Sequence, residues 1–330
     1  MADRPIFICG TERSGTTLLM RILTCSRNIV FPKYETWFFS NIYNRTHLLE
    51  TLNEEDRFKL LINSFSKISH GFYRQFIKNA QIFKQLKESD RKAETIFDIL
   101  QTKIANLQNR NRWGDKSPGN EYHAEKILQA YPSAKLVYVL RDFHDVASSR
   151  KFKRTIKDKE TKSGDAIRGA MMWKKSVQQH LYNVNCLPYS QYYTLKFEDL
   201  TQHPEKTLSA LGDFLEEPLI ECLTQTEKGW YFQPTKQLNA DLSPAMASNS
   251  SYQDKQYGNR LSSSAIGIYK KKLSKLEIML INVLCFSEAR LTGYMGNRND
   301  LIGSIAWRKI FIRKSKHLQG QPYCRIEVKK

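Results

Sequence analysis

Pro5-Ile6-Phe7-Ile8-Cys9-Gly10-Thr11-Glu12-Arg13-Ser14-Gly15-Thr16-Thr17-Leu18-Leu19 decides the fold. Residues 5–10 are a short apolar run ending in glycine, which suits a buried strand. A Gly/Ser/Thr segment follows, and then the apolar helical stretch TTLLMRIL. Strand, glycine-rich turn, helix is the opening of a nucleotide-binding α/β domain. Gly10 and Gly15 have the spacing of a P-loop: glycines let the backbone turn tightly and aim its N–H groups inward, and the helix that follows adds its positive end. One position departs from the ordinary nucleoside triphosphatase loop, which has Lys directly after the second glycine, reaching the β- and γ-phosphates. Here that residue is Thr16, and the cation has moved inside the loop to Arg13. A loop that keeps the cradle and relocates its cation serves a different phosphate group.

Outward from this turn, strands alternate with helices. KLVYVL (135–140) is the clearest strand, and FHDVASSRKF reads as the helix after it. A helix is predicted over 121–131, ending near Pro132, and a longer one over 165–184. YYTLKF (192–197) is a third strand, and PEKTLSALGDFL (204–215) a helix beginning at Pro204. Residues 41–110 are polar, rich in Lys, Asn and Gln, and helical in spacing. Residues 234–265 are Ser/Asn-rich and read as loop, with one helix from about 266 to 290. The pattern predicts an α/β P-loop nucleotide-binding fold with a central parallel sheet flanked by helices. Residues 1–298 form a single domain in this reading, with 41–110 a helical insertion that walls an acceptor site. Residues 299–330 form a basic C-terminal tail.

Composition narrows the function classes. The 330 residues carry 52 Lys plus Arg against 33 Asp plus Glu, a net charge of +19, which favours polyanionic partners. The six cysteines, Cys9, Cys25, Cys186, Cys222, Cys285 and Cys324, show no paired spacing, so neither zinc nor a disulfide framework is expected. No apolar run reaches the ~20 residues of a membrane helix, and MADRPIFICG does not read as a signal peptide; a cytoplasmic location is the expectation.

Three segments together resemble the sulfotransferases that use 3′-phosphoadenosine 5′-phosphosulfate (PAPS), closest in motif style to the bacterial and protein-tyrosine members. GTERSGTTLL is similar to their 5′-phosphosulfate loop, which implies that Arg13, Ser14, Gly15, Thr16 and Thr17 hold that group. Strand KLVYVL runs into Arg141, with Ser149 eight residues later. In the family this pair binds the 3′-phosphate, and Arg suits it because guanidinium contacts phosphate in a bidentate manner. YTLKFEDLTQHPEKTL resembles the family's late strand, acidic turn and helix, with Phe197 where Tyr is common and Glu198 and Asp199 in the turn. The likeness covers 5–40, 112–150 and 190–218.

The resemblance implies sulfonate transfer from PAPS to an acceptor hydroxyl, with release of 3′-phosphoadenosine 5′-phosphate (PAP) and no metal. Positioning and fixed positive charge would supply most of the catalysis. Arg13 and Lys116, in Trp113-Gly114-Asp115-Lys116-Ser117-Pro118, are the expected catalytic cations. Glu35, in FPKYETWFF, is the expected base, ahead of His123 and His144. Ser264 and Lys271 are candidates for closing over the 3′-phosphate. Two separate anion cradles, anchored by Arg13 and Arg141, should then lie at opposite ends of one adenosine ligand. The acceptor is expected to be a carbohydrate, an anionic glycan, a glycolipid or a phenol, with peripheral membrane contact through the basic tail. The rivals are a P-loop kinase, disfavoured by Thr16, and a nucleic-acid-binding protein, for which no signature motif is present.

Overall fold

In a computed structural model, residues 4–32, 34–152, 163–223 and 263–295 are described. The opening stretch forms strand β1 (Ile6–Cys9), whose four residues are all buried, and helix α1 (Thr16–Leu23). β2 (Ile29–Val30) follows. A helical segment comes next: α2 (Phe38–Asn41), α3 (Glu54–Lys67), α4 (Arg74–Lys78), α5 (Ala80–Glu88) and α6 (Ala93–Leu107), with 3-10 turns at Tyr43–Leu49 and Ser69–Gly71. The chain then returns to the sheet through β3 (Arg112–Lys116), a 3-10 turn (Asn120–His123) and α7 (Ala124–Ala130). β4 (Lys135–Leu140), α8 (Phe143–Lys151), α9 (Ser163–Cys186), β5 (Tyr192–Lys196), α10 (Phe197–Gln202) and α11 (Pro204–Leu215) complete the alternation. A 3-10 turn (Ser263–Ala265), α12 (Tyr269–Lys272) and α13 (Lys275–Leu291) close the described chain.

All the strand pairs are parallel, in the order β2-β3-β1-β4-β5. Both faces of the sheet are covered, as a parallel sheet requires, and the strands divide their side chains by the two-residue period. Phe7, Cys9, Leu136, Tyr138 and Leu140 join the core beneath the α2–α9 helices. Ile6, Ile8, Val137 and Val139 join the core under α1 and α11.

The structure corrects the sequence reading at three places. β2 and β3 were not foreseen: β2 is two residues long, and RWGDK carries charges that normally mark a surface. Arg112 and Asp115 are nevertheless buried. Glu198 and Asp199 lie in α10, not in a turn, because β5 passes straight into that helix and the two acids occupy its positive first turn. The single helix expected over 266–290 is divided at Leu273–Ser274. Ser274 and Glu277 form a capping box that starts α13 afresh. The expected loop over 234–265 and the basic tail over 299–330 fall almost wholly outside the described residues.

Candidate active site

Parallel strands deliver their C-terminal ends to one edge of the sheet, where α/β folds bind ligands. β1 and β4 run side by side there, with Cys9 opposite Tyr138. The turn after β1 passes through Gly10 at φ 132, Arg13 at φ 74 and Gly15 at φ 105. A Cβ on Gly10 would lie 2.8 Å from the Val139 carbonyl oxygen, and one on Gly15 would overlap the edge of the Phe197 ring. Both glycines are therefore required by space as well as by dihedral angle. The Gly10 N–H donates to the buried Glu121 carboxylate at 3.1 Å. Burial raises the Glu121 pKa.

Arg13 Nε donates to Ser149 Oγ at 2.9 Å. Arg141 Nη1 donates to the Arg13 carbonyl at 3.0 Å, and its Nη2 to the Ala265 carbonyl at 2.7 Å. The Arg141 guanidinium lies over the Phe197 ring, 4.3 Å from its centroid. The turn after β1 is thus joined by direct hydrogen bonds to the end of β4 and to α8. Ser14 Oγ, Ser148 Oγ and Arg141 Nε are buried here without a hydrogen-bond partner among the described residues. Buried polar atoms are ordinarily paired, so these three retain unused hydrogen-bonding capacity. Thr16 and Thr17 open α1, with their side chains partly exposed.

Asp142 caps α8, accepting from the His144 and Asp145 N–H groups. Asp145 accepts from the N–H groups of Gly267 at 2.7 Å and Tyr269 at 3.0 Å, which ties the 263–269 segment to α8. Burial raises the Asp145 pKa, an effect its backbone donors oppose. Sequence reasoning missed this aspartate, whose signal was an acid in the first turn after the strand-end arginine. Ser264, on the tied segment, and Lys271, in α12 just after it, are exposed.

β3 lies on the other side of β1, with Ile8 opposite Lys116. Lys116 Nζ donates to Glu35 Oε1 at 2.6 Å, so the expected cation and the expected base form an ion pair. The Lys116 side chain is 11% exposed and that of Glu35 37%. The competing histidines are engaged elsewhere. His123 contacts Ser40 through Nε2 at 3.1 Å and Asn44 through Nδ1 at 3.2 Å. His144 Nε2 lies 2.6 Å from Asn282 Oδ1, and its ring stacks on Tyr269. Among the described residues, no group of three or more His, Cys, Asp or Glu side chains could hold a metal ion, and no helix is long and apolar enough to cross a membrane.

A parallel α/β sheet with a glycine-bounded anion turn at the head of its central strand defines a P-loop nucleotide-binding fold. Residues 5–221 match the model of the Sulfotransferase family, and the chain belongs to that family. The sulfotransferase domain of the Synechococcus PCC 7002 olefin synthase superposes with a TM-score of 0.54 at 18% identity, covering 89% of this chain and 97% of that one. Mouse sulfotransferase SULT7A1, solved in complex with PAP, matches with a TM-score of 0.45 at 12% identity over 88% of this chain and 86% of its own. An uncharacterized protein of Aquifex aeolicus (strain VF5) is 27% identical over 226 residues, 66% of this chain. The match spans 26% of that relative's length.

Proposed function

We propose that the protein transfers a sulfonate group from PAPS to an acceptor hydroxyl and releases PAP. The observation that carries this reading is the junction of the two phosphate motifs, Arg13 to Ser149 and Arg141 to the Arg13 carbonyl. One ligand bearing a 5′-phosphosulfate and a 3′-phosphate matches two such motifs side by side. The unpaired Ser14 Oγ and Arg141 Nε, the inward turn and the N-terminus of α1 supply donors for it. In this assignment Arg13, Ser14, Gly15, Thr16 and Thr17 hold the 5′-group. Arg141 and Ser149 hold the 3′-phosphate, with Ser264 and Lys271 on the segment that closes beside it.

PAPS brings the activated sulfonate; the chain's residues do the rest. Glu35, oriented by its ion pair with Lys116, accepts the acceptor's proton, and a carboxylate needs only hydrogen-bond reach to do so. Arg13 and Lys116 offset the negative charge that develops on the departing nucleotide oxygen. The acceptor is a hydroxyl of a carbohydrate, glycolipid or phenol, with residues 41–110 forming one wall of its site.

Two measurements test the reading. PAP should raise the melting temperature more than ATP with Mg²⁺ does; the reverse order would favour a kinase. Glu35→Gln should keep PAP affinity within about twofold and lose about 10²–10⁴ in turnover. Near-normal turnover dismisses Glu35 as base.

A further inference from the structure

Glu35 and Lys116 meet across two segments that are far apart in sequence, and a second carboxylate, that of Asp115, is buried next to Lys116 in the chain. We propose that Asp115 is a positioning residue whose buried carboxylate fixes where Glu35 stands relative to Lys116. The inference rests on the assignment of Glu35 as base.

Asp115 precedes Lys116 on β3, so its side chain leaves the opposite face of the strand. It is 1% exposed. Its hydrogen-bond partners are neutral: Thr36 Oγ1 at 2.7 Å and Ser117 Oγ at 3.2 Å on one oxygen, and Asn120 Nδ2 at 3.0 Å on the other. A carboxylate is acceptor-only. It therefore draws the protons of both hydroxyls toward itself and leaves their lone pairs facing outward. Those lone pairs are used. Ser117 Oγ accepts from Thr36 N at 2.9 Å and Trp37 N at 3.0 Å, and Thr36 Oγ1 accepts from Phe38 N at 3.2 Å. Three successive backbone N–H groups directly after Glu35 are thus held by hydroxyls that Asp115 orients.

The turn needs holding, because Trp37 lies at φ 52 and a left-handed residue with a side chain costs about 1–2 kcal/mol. Ser69 Oγ donates to the Glu35 carbonyl at 3.1 Å and pins the turn from its other side. A buried carboxylate bonded only to neutral donors is an expensive way to hold a fold. Here two of its three hydrogen bonds run to the hydroxyls that grip the one turn carrying the base.

The test is a double-mutant cycle read under single-turnover conditions. Ser117→Ala and Asp115→Asn each remove part of the orienting set; the Asp115→Asn amide would also turn a donor toward the Asn120 donor. Each should lower the transfer rate about 10–100-fold, in the range of supporting-residue effects, with PAP Kd within about twofold. In a Glu35→Gln background the same substitutions should lower the residual rate less than about threefold.

Equal losses in both backgrounds, a parallel loss of PAP affinity, or an unchanged rate in Ser117→Ala would each overturn the positioning role. Should Asp115→Asn fail to fold, Ser117→Ala carries the same readout alone. Full turnover in Glu35→Gln by itself removes the base assignment and the positioning role with it. Equal losses across the cycle remove only the latter.

Discussion

Gly15→Ala probes the anion turn without touching any proposed catalytic side chain. The new methyl would lie 3.0 Å from Phe197 Cε2 and closer still to Cδ2, and the backbone there is at φ 105. The dihedral contributes about 1–2 kcal/mol of destabilisation. Overpacking against the ring contributes about 1–3 kcal/mol more. The ring cannot retreat freely, because the Arg141 guanidinium lies over it at 4.3 Å and Phe197 is itself 5% exposed. The summed loss is about 2–5 kcal/mol. With a urea m-value of about 3 kcal/mol/M, the midpoint should fall by roughly 0.7–1.7 M. Because the displaced ring supports Arg141, PAP affinity should fall as well. Adding Phe197→Ala removes the obstacle. The pair should therefore couple by about 1–3 kcal/mol, leaving only the dihedral cost of the Gly15→Ala change. A midpoint within error of the wild type, or losses additive to within about 0.5 kcal/mol, would refute the packing argument.

Arg141→Lys keeps the charge but loses the fork that reaches both the Arg13 and Ala265 carbonyls. By calorimetry, PAP affinity should drop about tenfold or more, and adenosine 5′-phosphosulfate, which lacks the 3′-phosphate, should be affected less; equal losses would leave Arg141 only a structural brace. His180 is 3% exposed and stacks on Tyr138, and burial pushes its pKa down to about 4. The unfolded chain therefore binds a proton that the native state refuses between about pH 6.5 and 4. Stability should fall by up to about 3 kcal/mol as the pH drops through that window, and His180→Gln should flatten the slope seen in denaturant titrations at stepped pH.

Much of the scaffold was legible because its signals are local. β1 and β4 are unbroken apolar runs between turn residues, and α11 begins at Pro204 as its sequence predicts. Glu35 and Lys116 were each singled out by the resemblance to sulfotransferases, and the fold brings them into contact. β3 was hidden because its stability is tertiary: Arg112 is buried against the Leu215 carbonyl and Glu217, and Asp115 against hydroxyls and an amide. Nothing local announces such pairing, since a charged strand looks like surface until its partners are known. The same holds for Glu121, whose bond to the Gly10 N–H spans 111 residues. The resemblance placed Arg13 and Arg141 about one ligand, but their direct hydrogen bond was not legible, because strand order, not sequence distance, decides which loops meet.

That strand order has a consequence for synthesis. β1 pairs with β3 and β4, so Ile6 must wait for Gly114, 108 residues later, and for Lys135, 129 residues later. At about 5–20 residues per second, the nascent β1 spends roughly 5–20 s without its first strand partner. Throughout that interval IFIC is an apolar segment with open edges, still close to the ribosome. Its two strand pairings are therefore available only after the intervening helices have emerged, and conditions that slow elongation through residues 41–110 should make this chain disproportionately prone to capture or aggregation before it folds.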